Sequence, residues 1–327
     1  MIFSKININL QRLLASIFFL ILILFPLLEM DFYNEMVSRI VILAIFAVSL
    51  DILVGFTGLV SFGHAAWFGI GAYSFALMAS HYQVNDSLWL TLPVALIASG
   101  FLSLVTGLFV LRTKGVYFIM VTLAFAQIFY FLVHDVPAVG GSTDGLNLYT
   151  RPTVNIGNLK ILNLENQMVF YYFIIFSLFI SLLVISIILK SPFGRAIQGI
   201  KENEHRMASI GFSVFWYKLA AFVLSSIFAG FAGYLFAIQS YGTNPELLSW
   251  HKSAEVLLML TLGGIGKFWG GVIGAFVFVL LKDFFMTYTD WWQLWLGLTI
   301  VLAVLFLPGG LYSLSARIKF LVGRRHA

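Results

Sequence analysis

Apolar runs of membrane-crossing length recur along this chain, and no other feature limits its fold so strongly. About 20 apolar residues in a helix span a bilayer core of about 30 Å, where every backbone amide and carbonyl must find its partner within the protein. Residues 13–28, 38–54, 64–80, 88–111, 115–134, 168–189, 219–239, 254–262, 269–285 and 291–307 read as such segments. With 61% hydrophobic residues, 10% charged residues and a mean hydropathy of +0.97, the chain carries more apolar surface than one soluble core buries. The expected fold is an all-α polytopic membrane protein, one domain over residues 1–327, with about ten transmembrane helices, some broken at glycine-rich turns.

Charges at the segment ends set the expected topology. Lys5 and Arg12 precede the first run and Glu29, Asp31 and Glu35 follow it, so the positive-inside rule puts the N-terminus in the cytoplasm. Bulky and acidic residues follow the run where a signal peptide carries a small-residue cleavage site, so it reads as a retained span. Arg112 and Lys114 mark a second cytoplasmic turn, and Arg317, Lys319, Arg324 and Arg325 put the C-terminus inside. Residues 135–167, with Pro137, Gly140, Gly141, Asp144 and Pro152, form a long external loop that needs structure of its own.

The same distribution narrows the function. The 19 Lys and Arg outnumber the 14 acids, yet they sit singly at segment ends, where they read as topology signals and contacts for the lipid bilayer, not for nucleic acid. Cysteine is absent, which removes disulfides and thiolate chemistry. Gly266 and Lys267 look like part of a phosphate loop, but Thr261 stands where its first glycine belongs and Phe268 where Ser or Thr belongs. The six histidines show no metal spacing, so no catalytic residue, metal or cofactor is assigned.

Glycines punctuate the spans. The segment 254–262 is too short to cross alone and runs into Gly263, Gly264 and Gly266, which reads as a broken helix lining a cavity or buried in protein. Gly266, Gly270 and Gly274 share a four-residue spacing that admits a neighbouring helix, so Gly270 and Gly274 read as packing residues. A less regular set, Gly55, Gly58 and Gly63 with Thr57, Ser61 and His64, is a second place where backbone can face a cavity. Together with Gly263, Gly264 and Gly266 it forms the candidate translocation path. Asp51 and Glu255 are the acids nearest apolar surroundings, at span ends, where an interfacial place competes with a role in ion coupling.

Residues 191–218 are the longest charge-bearing run between two strongly apolar segments. Ser191 can cap a helix, Pro192 suits its first position, and Phe193, Ala196, Ile197, Ile200 and Met207 follow helical spacing, with Gly211 as the stop. Arg195, Lys201, Glu202, Glu204 and Arg206 form the other face. Such a helix either docks a partner along its apolar stripe or simply connects two spans.

Several stretches, in order, resemble one family: DILVGFTG from Asp51, SFGHAA from Ser61, FGIGAY from Phe68, RTKGVYF from Arg112, GGSTDGL from Gly140, GRAIQGIKENE from Gly194, LGGIG from Leu262 and WGG from Trp269. The chain is similar there to the LivM-type permeases of bacterial branched-chain amino-acid ABC importers. One departure is that His205, Arg206 and Met207 occupy the three places before Gly211 where the wider importer family has Glu-Ala-Ala. The resemblance implies an inner-membrane transport subunit without enzymatic activity of its own. Its implied partners are a second permease subunit, two cytoplasmic ATPase subunits and an extracytoplasmic solute-binding protein. It also implies that Gly194, Arg195, Ile197, Ile200, Glu202, Glu204 and Gly211 couple the permease to the ATPase. Urea or short-amide permeases share this resemblance, and a self-sufficient ion-coupled carrier is the alternative of a different class.

Overall fold

The computed structural model describes residues 17–28, 31–81, 87–137, 139–140, 144–148, 151–156, 159–307 and 309–313. The basic residues expected to fix the termini, Lys5, Arg12 and the tail from Arg317, lie outside them.

Helices dominate, as bilayer solvation requires. In chain order they are α1 (17–24), α2 (Asp31–Asp51), α3 (His64–His81), α4 (Leu88–Val110), α5 (Val116–Asp135), α6 (Gln167–Lys190), α7 (Pro192–Glu202), α8 (Glu204–Ser209), α9 (Val214–Ser240), α10 (Trp250–Gly263), α11 (Gly270–Tyr288) and α12 (Trp292–Phe306). Among the described residues, seven helical runs are long and apolar enough to cross a membrane: Phe32–Thr57, α4, α5, α6, α9, α11 and Trp292–Ser313. The chain is therefore a multi-pass membrane protein. The second apolar run begins at Asp31, earlier than its hydropathy implied, and its helix loosens into a π-helical turn over Ile52–Thr57. At 14 residues α10 is about 21 Å long, short of the bilayer core, and it breaks at Gly264, where φ is 119°.

Helix α2 is the most enclosed span, with Ile42, Ala44, Ile45, Phe46 and Ala47 fully buried. Helix α9 runs against α2, α3 and α4, and α11 against α2 and α10. Two crossings bring backbones together at glycine. A side-chain carbon on Gly71 of α3 would strike the Gly230 carbonyl of α9, and one on Gly233 would strike the Phe68 carbonyl of α3. At the second crossing, Gly263 of α10 faces the Gly270 carbonyl, and Gly274 of α11 faces the Met259 carbonyl. Lipid tails provide no hydrophobic drive between helices, so such close approach is what holds them.

The connections gather at two ends. At one, the α4–α5 turn reaches α8 through Lys114 and Glu204 (3.4 Å), and the α10–α11 turn meets the end of α2. At the other, β2 (Thr153–Ile156) and β3 (Leu159–Asn163) form an antiparallel hairpin. Beside it β1 (Leu146–Asn147) pairs with β4 (Gly242–Thr243). The long 135–167 loop thus has its own structure, tied to the chain that leaves α9. Arg151 helps fix it: its side chain donates to the Leu164 carbonyl at 3.2 Å and lies between the rings of Phe170 and Tyr241.

The 191–211 segment is two helices, not one. Ser191 caps α7 by accepting from the Gly194 amide at 3.3 Å, with Pro192 at the first helical position. Asn203 leaves the helical region (ψ 99°), and its side chain accepts from the Arg206 amide at 2.9 Å, opening α8. Gly211, at φ 93°, ends α8 as its composition anticipated. The apolar stripe of α7 is already covered. Ala196, Ile197 and Ile200 are 4%, 0% and 2% exposed, packed toward α6, α9 and the π-helical turn. The docking surface expected on that stripe is occupied by the protein's own membrane domain.

A measurable consequence is that Ile200→Asp removes folded permease even without any ATPase. An unpaired carboxylate in that contact costs several kcal/mol, a large part of a typical net stability. Size-exclusion recovery of the variant alone is the readout, and recovery equal to the parent would return the stripe to a partner.

Candidate functional site

The elements converge where α2 ends. Helix α2 loosens because Val54, Gly55 and Phe56 enter a π-helical turn closed by Gly58, whose φ of 79° suits glycine. Thr57 secures the turn by donating from its hydroxyl to the Ile52 carbonyl at 2.7 Å. Asp51, only 2% exposed, reaches across and accepts the backbone amide of Gly266 at 2.8 Å. The broken α10–α11 connection is thereby pinned to the end of α2. Gly55 is required at the contact, because a side chain there would overlap the Asp51 carboxylate and the Gly266 amide.

Helix α7 joins the same junction. The Lys201 ammonium donates to the Gly55 carbonyl at 2.5 Å, and its aliphatic stem crosses the open face of Gly58. One lysine on the α7–α8 segment therefore touches a turn that holds both broken helices. Lys201 stood on the polar face of the sequence pattern, but only the fold reveals its partner, because Gly55 lies 146 positions away.

The other expected path residues are placed differently. Thr57, Ser61, Gly63, His64, Gly263 and Gly264 are buried, and Gly266 is half-buried, while Gly58 is exposed. Gly63 packs on the Thr122 carbonyl of α5. Ser61 accepts the Gly63 amide at 3.2 Å. His64, fully buried at the start of α3, stacks on Phe46 with ring centroids 5.5 Å apart, and its Nε2 meets the Ser49 hydroxyl at 2.9 Å. That hydroxyl already donates to the Phe46 carbonyl, so Nε2 carries the proton and donates, while the buried Nδ1 has no hydrogen-bond partner among the described residues. Gly55 and Gly266 thus meet at one contact, Gly264 packs on Gly309 beside it, and Gly63 and His64 belong to the packing between α2, α3 and α5.

Among the coupling candidates, Gly194, Ile197 and Ile200 are buried, while Arg195, Glu202 and Gly211 are exposed. Glu204 holds the segment from below, accepting from Lys218 at 2.7 Å and facing Lys114 at 3.4 Å. Burial raises its pKa, but the Lys218 hydrogen bond and charge, with the Lys114 charge, outweigh burial and hold the carboxyl below its ordinary value. A depressed folded-state pKa means a contribution that is full above the unfolded value and lost as pH falls through the folded one. Because the side chain is about one-third exposed, the contribution is at most about 1 kcal/mol. Amide exchange in α8 should quicken as pH drops below about 4, after correction for intrinsic rates, and Glu204→Gln should show that faster exchange at neutral pH. Glu204→Gln exchanging like the parent at pH 7 would exclude the clamp.

Residues 33–307 match the family described as the branched-chain amino acid transport system / permease component. The LivM proteins named as high-affinity branched-chain amino acid transport system permeases in Salmonella typhimurium and Escherichia coli are each 29% identical over 324 residues, covering 93% of this chain and 76% of theirs. A probable branched-chain amino acid transport permease protein of Methanocaldococcus jannaschii is 25% identical over 117 residues, covering 35% of this chain and 33% of its own. No solved structure matches. The chain, a multi-pass membrane protein whose matched region takes in every contact of the junction, belongs to the family of permease components of branched-chain amino acid transport systems.

Proposed function

We propose that this chain is one permease subunit of an ATP-driven importer of branched-chain amino acids, with ten spans and both termini in the cytoplasm. It pairs with a second permease subunit, receives solute from an extracytoplasmic binding protein, and is driven by two cytoplasmic ATPase subunits. Its setting is a bacterial inner membrane. The observation that carries the reading is Lys201 of α7 bonded to the turn that ends α2, within a chain of the permease family.

The ATPase engages the outer face of α7 and α8, because the inner face is spent on the membrane domain. Arg195, Glu202 and His205 are exposed there, and Ile210 adds an apolar side chain that is 64% exposed. A shift of this segment reaches the α10–α11 break through Gly55 and Asp51, so ATP-dependent closure of the ATPase pair becomes rearrangement of the spans.

The test is uptake of L-leucine by the reconstituted transporter with its partners. Uptake should require ATP and persist when ion gradients are collapsed. Leucine uptake without ATP, or its loss with the proton gradient while ATP remains, would support an ion-coupled carrier. Urea or acetamide uptake in place of leucine would support the amide-permease alternative. Ile210→Asp should leave permease recovery unchanged and weaken ATPase association about tenfold or more, because it puts a charge into a desolvated contact. Unaltered association would remove α8 from the interface.

A further inference from the structure

A cleft of about 750 Å³ opens between α5, α10, α11, the start of α12 and the 3₁₀ turn Pro245–Leu248. Inside it, the Glu255 carboxylate is shared by two ammonium groups, Lys252 at 2.6 Å and Lys282 at 2.8 Å. The trio carries one surplus positive charge. Lys282 also stands 5.4 Å over the Trp292 ring. It lies six residues before the end of α11, about 9 Å of helix inward, in a span apolar enough to cross the membrane. The Lys252, Glu255 and Lys282 side chains are 19%, 18% and 29% exposed toward the cleft.

Charged groups at that depth pair with one another or face a cavity instead of lipid, and this trio does both, so the cleft is taken as reached by water. Its remaining lining separates by chemistry. Glu246 on the 3₁₀ turn is an exposed carboxylate, while Trp250 and Leu258 present exposed apolar surface and the buried Phe278 closes the wall behind them. A cation, an anion and an apolar wall in one concavity of ligand-binding size match a zwitterionic α-amino acid with an aliphatic side chain. We propose that this cleft is a solute station on the translocation route, where Lys282 meets the solute carboxylate, Glu246 its ammonium and Leu258 its side chain. This assignment rests on the amino-acid importer reading and adds the residues that hold the solute within the permease.

The chain lacks cysteine, so a single introduced thiol reports on one position. In the reconstituted transporter, Leu258→Cys should react with a membrane-impermeant charged methanethiosulfonate, because a thiolate forms only where water reaches it. L-Leucine should slow that reaction at least fivefold. The same concentration of 4-methylpentanoate, which lacks the ammonium, or of 3-methylbutylamine, which lacks the carboxylate, should slow it less than twofold. Adding Glu246→Gln, at an exposed position, or Lys282→Met to Leu258→Cys should abolish leucine protection, and Lys282→Arg should restore part of it. A thiol that stays unlabelled, or is labelled equally with and without leucine, would overturn the proposal. Parent transporter that takes up leucine while Leu258→Cys shows no protection refutes this station alone. Parent that takes up no branched-chain amino acid refutes the importer reading itself.

Discussion

Gly274→Leu should yield no folded permease, whereas Gly297→Leu should yield as much as the parent. Both glycines lie in membrane-spanning helices, so apolarity and helix propensity treat the substitutions alike. Their surroundings do not. A side-chain carbon at Gly274 would overlap the Met259 carbonyl and approach the Gly263 amide, while one at Gly297 meets nothing within 4 Å. Overfilling a packed site costs about 1–3 kcal/mol when neighbouring side chains can shift. Here the neighbour is backbone of α10, which cannot yield without parting the α10–α11 pair, so leucine exceeds that range. Gly274→Ala places that overlapping carbon against the same carbonyl, so it too should exceed the range and lower recovery, though less than leucine. Monodisperse recovery in detergent and the unfolding midpoint are the measurements. Equal recovery of Gly274→Leu and Gly297→Leu would deny the crossing its role.

Much of this was legible in the sequence because the bilayer removes alternatives. Apolar length locates helices almost regardless of packing, so α4, α5 and α6 begin and end within a residue of where hydropathy puts them. Local chemistry was equally readable at Ser191, Pro192 and Gly211, which act on their own neighbours. The two errors have one source. Helical spacing identifies an apolar stripe on α7 but is silent about what covers it, and Ile197 and Ile200 turned out to face the chain's own spans. Likewise, one periodicity ran through Asn203 because its side chain interrupts the helix by capping, which an apolar pattern does not register.

The junction and the cleft were less legible because their partners are far apart in sequence. Asp51 and Gly266 are 215 positions apart, and Glu255 and Lys282 are 27 apart. The sequence singles out both acids, since a carboxylate among apolar residues is costly, but leaves an interfacial place and ion coupling open. Their roles separate only in the fold. Asp51 is enclosed and engages backbone, so it fastens two broken helices together, while Glu255 balances two lysines beside an open cleft.

The second large effect lies at the junction: Lys201→Met should leave an assembled transporter that hydrolyses ATP but imports leucine about tenfold more slowly or worse. Methionine keeps the apolar stem that crosses Gly58 and removes only the ammonium that binds the Gly55 carbonyl. A hydrogen bond from a charged donor contributes about 1.5–3 kcal/mol, and a coupling free energy of about 1.4 kcal/mol is a factor of ten. Removing it leaves α7 packed through Ile197 and Ile200 but no longer tied to the turn that Asp51 shares with Gly266. Hydrolysis then proceeds without moving the α10–α11 break. Lys201→Arg, which keeps a cationic donor, should recover part of the loss, whereas Asp51→Asn should retain more transport than Asp51→Leu because its amide oxygen still accepts the Gly266 amide. The decisive quantity is leucine imported per ATP hydrolysed. A Lys201→Met transporter with the parent's ratio would show that movement passes from α7 to the spans by packing alone.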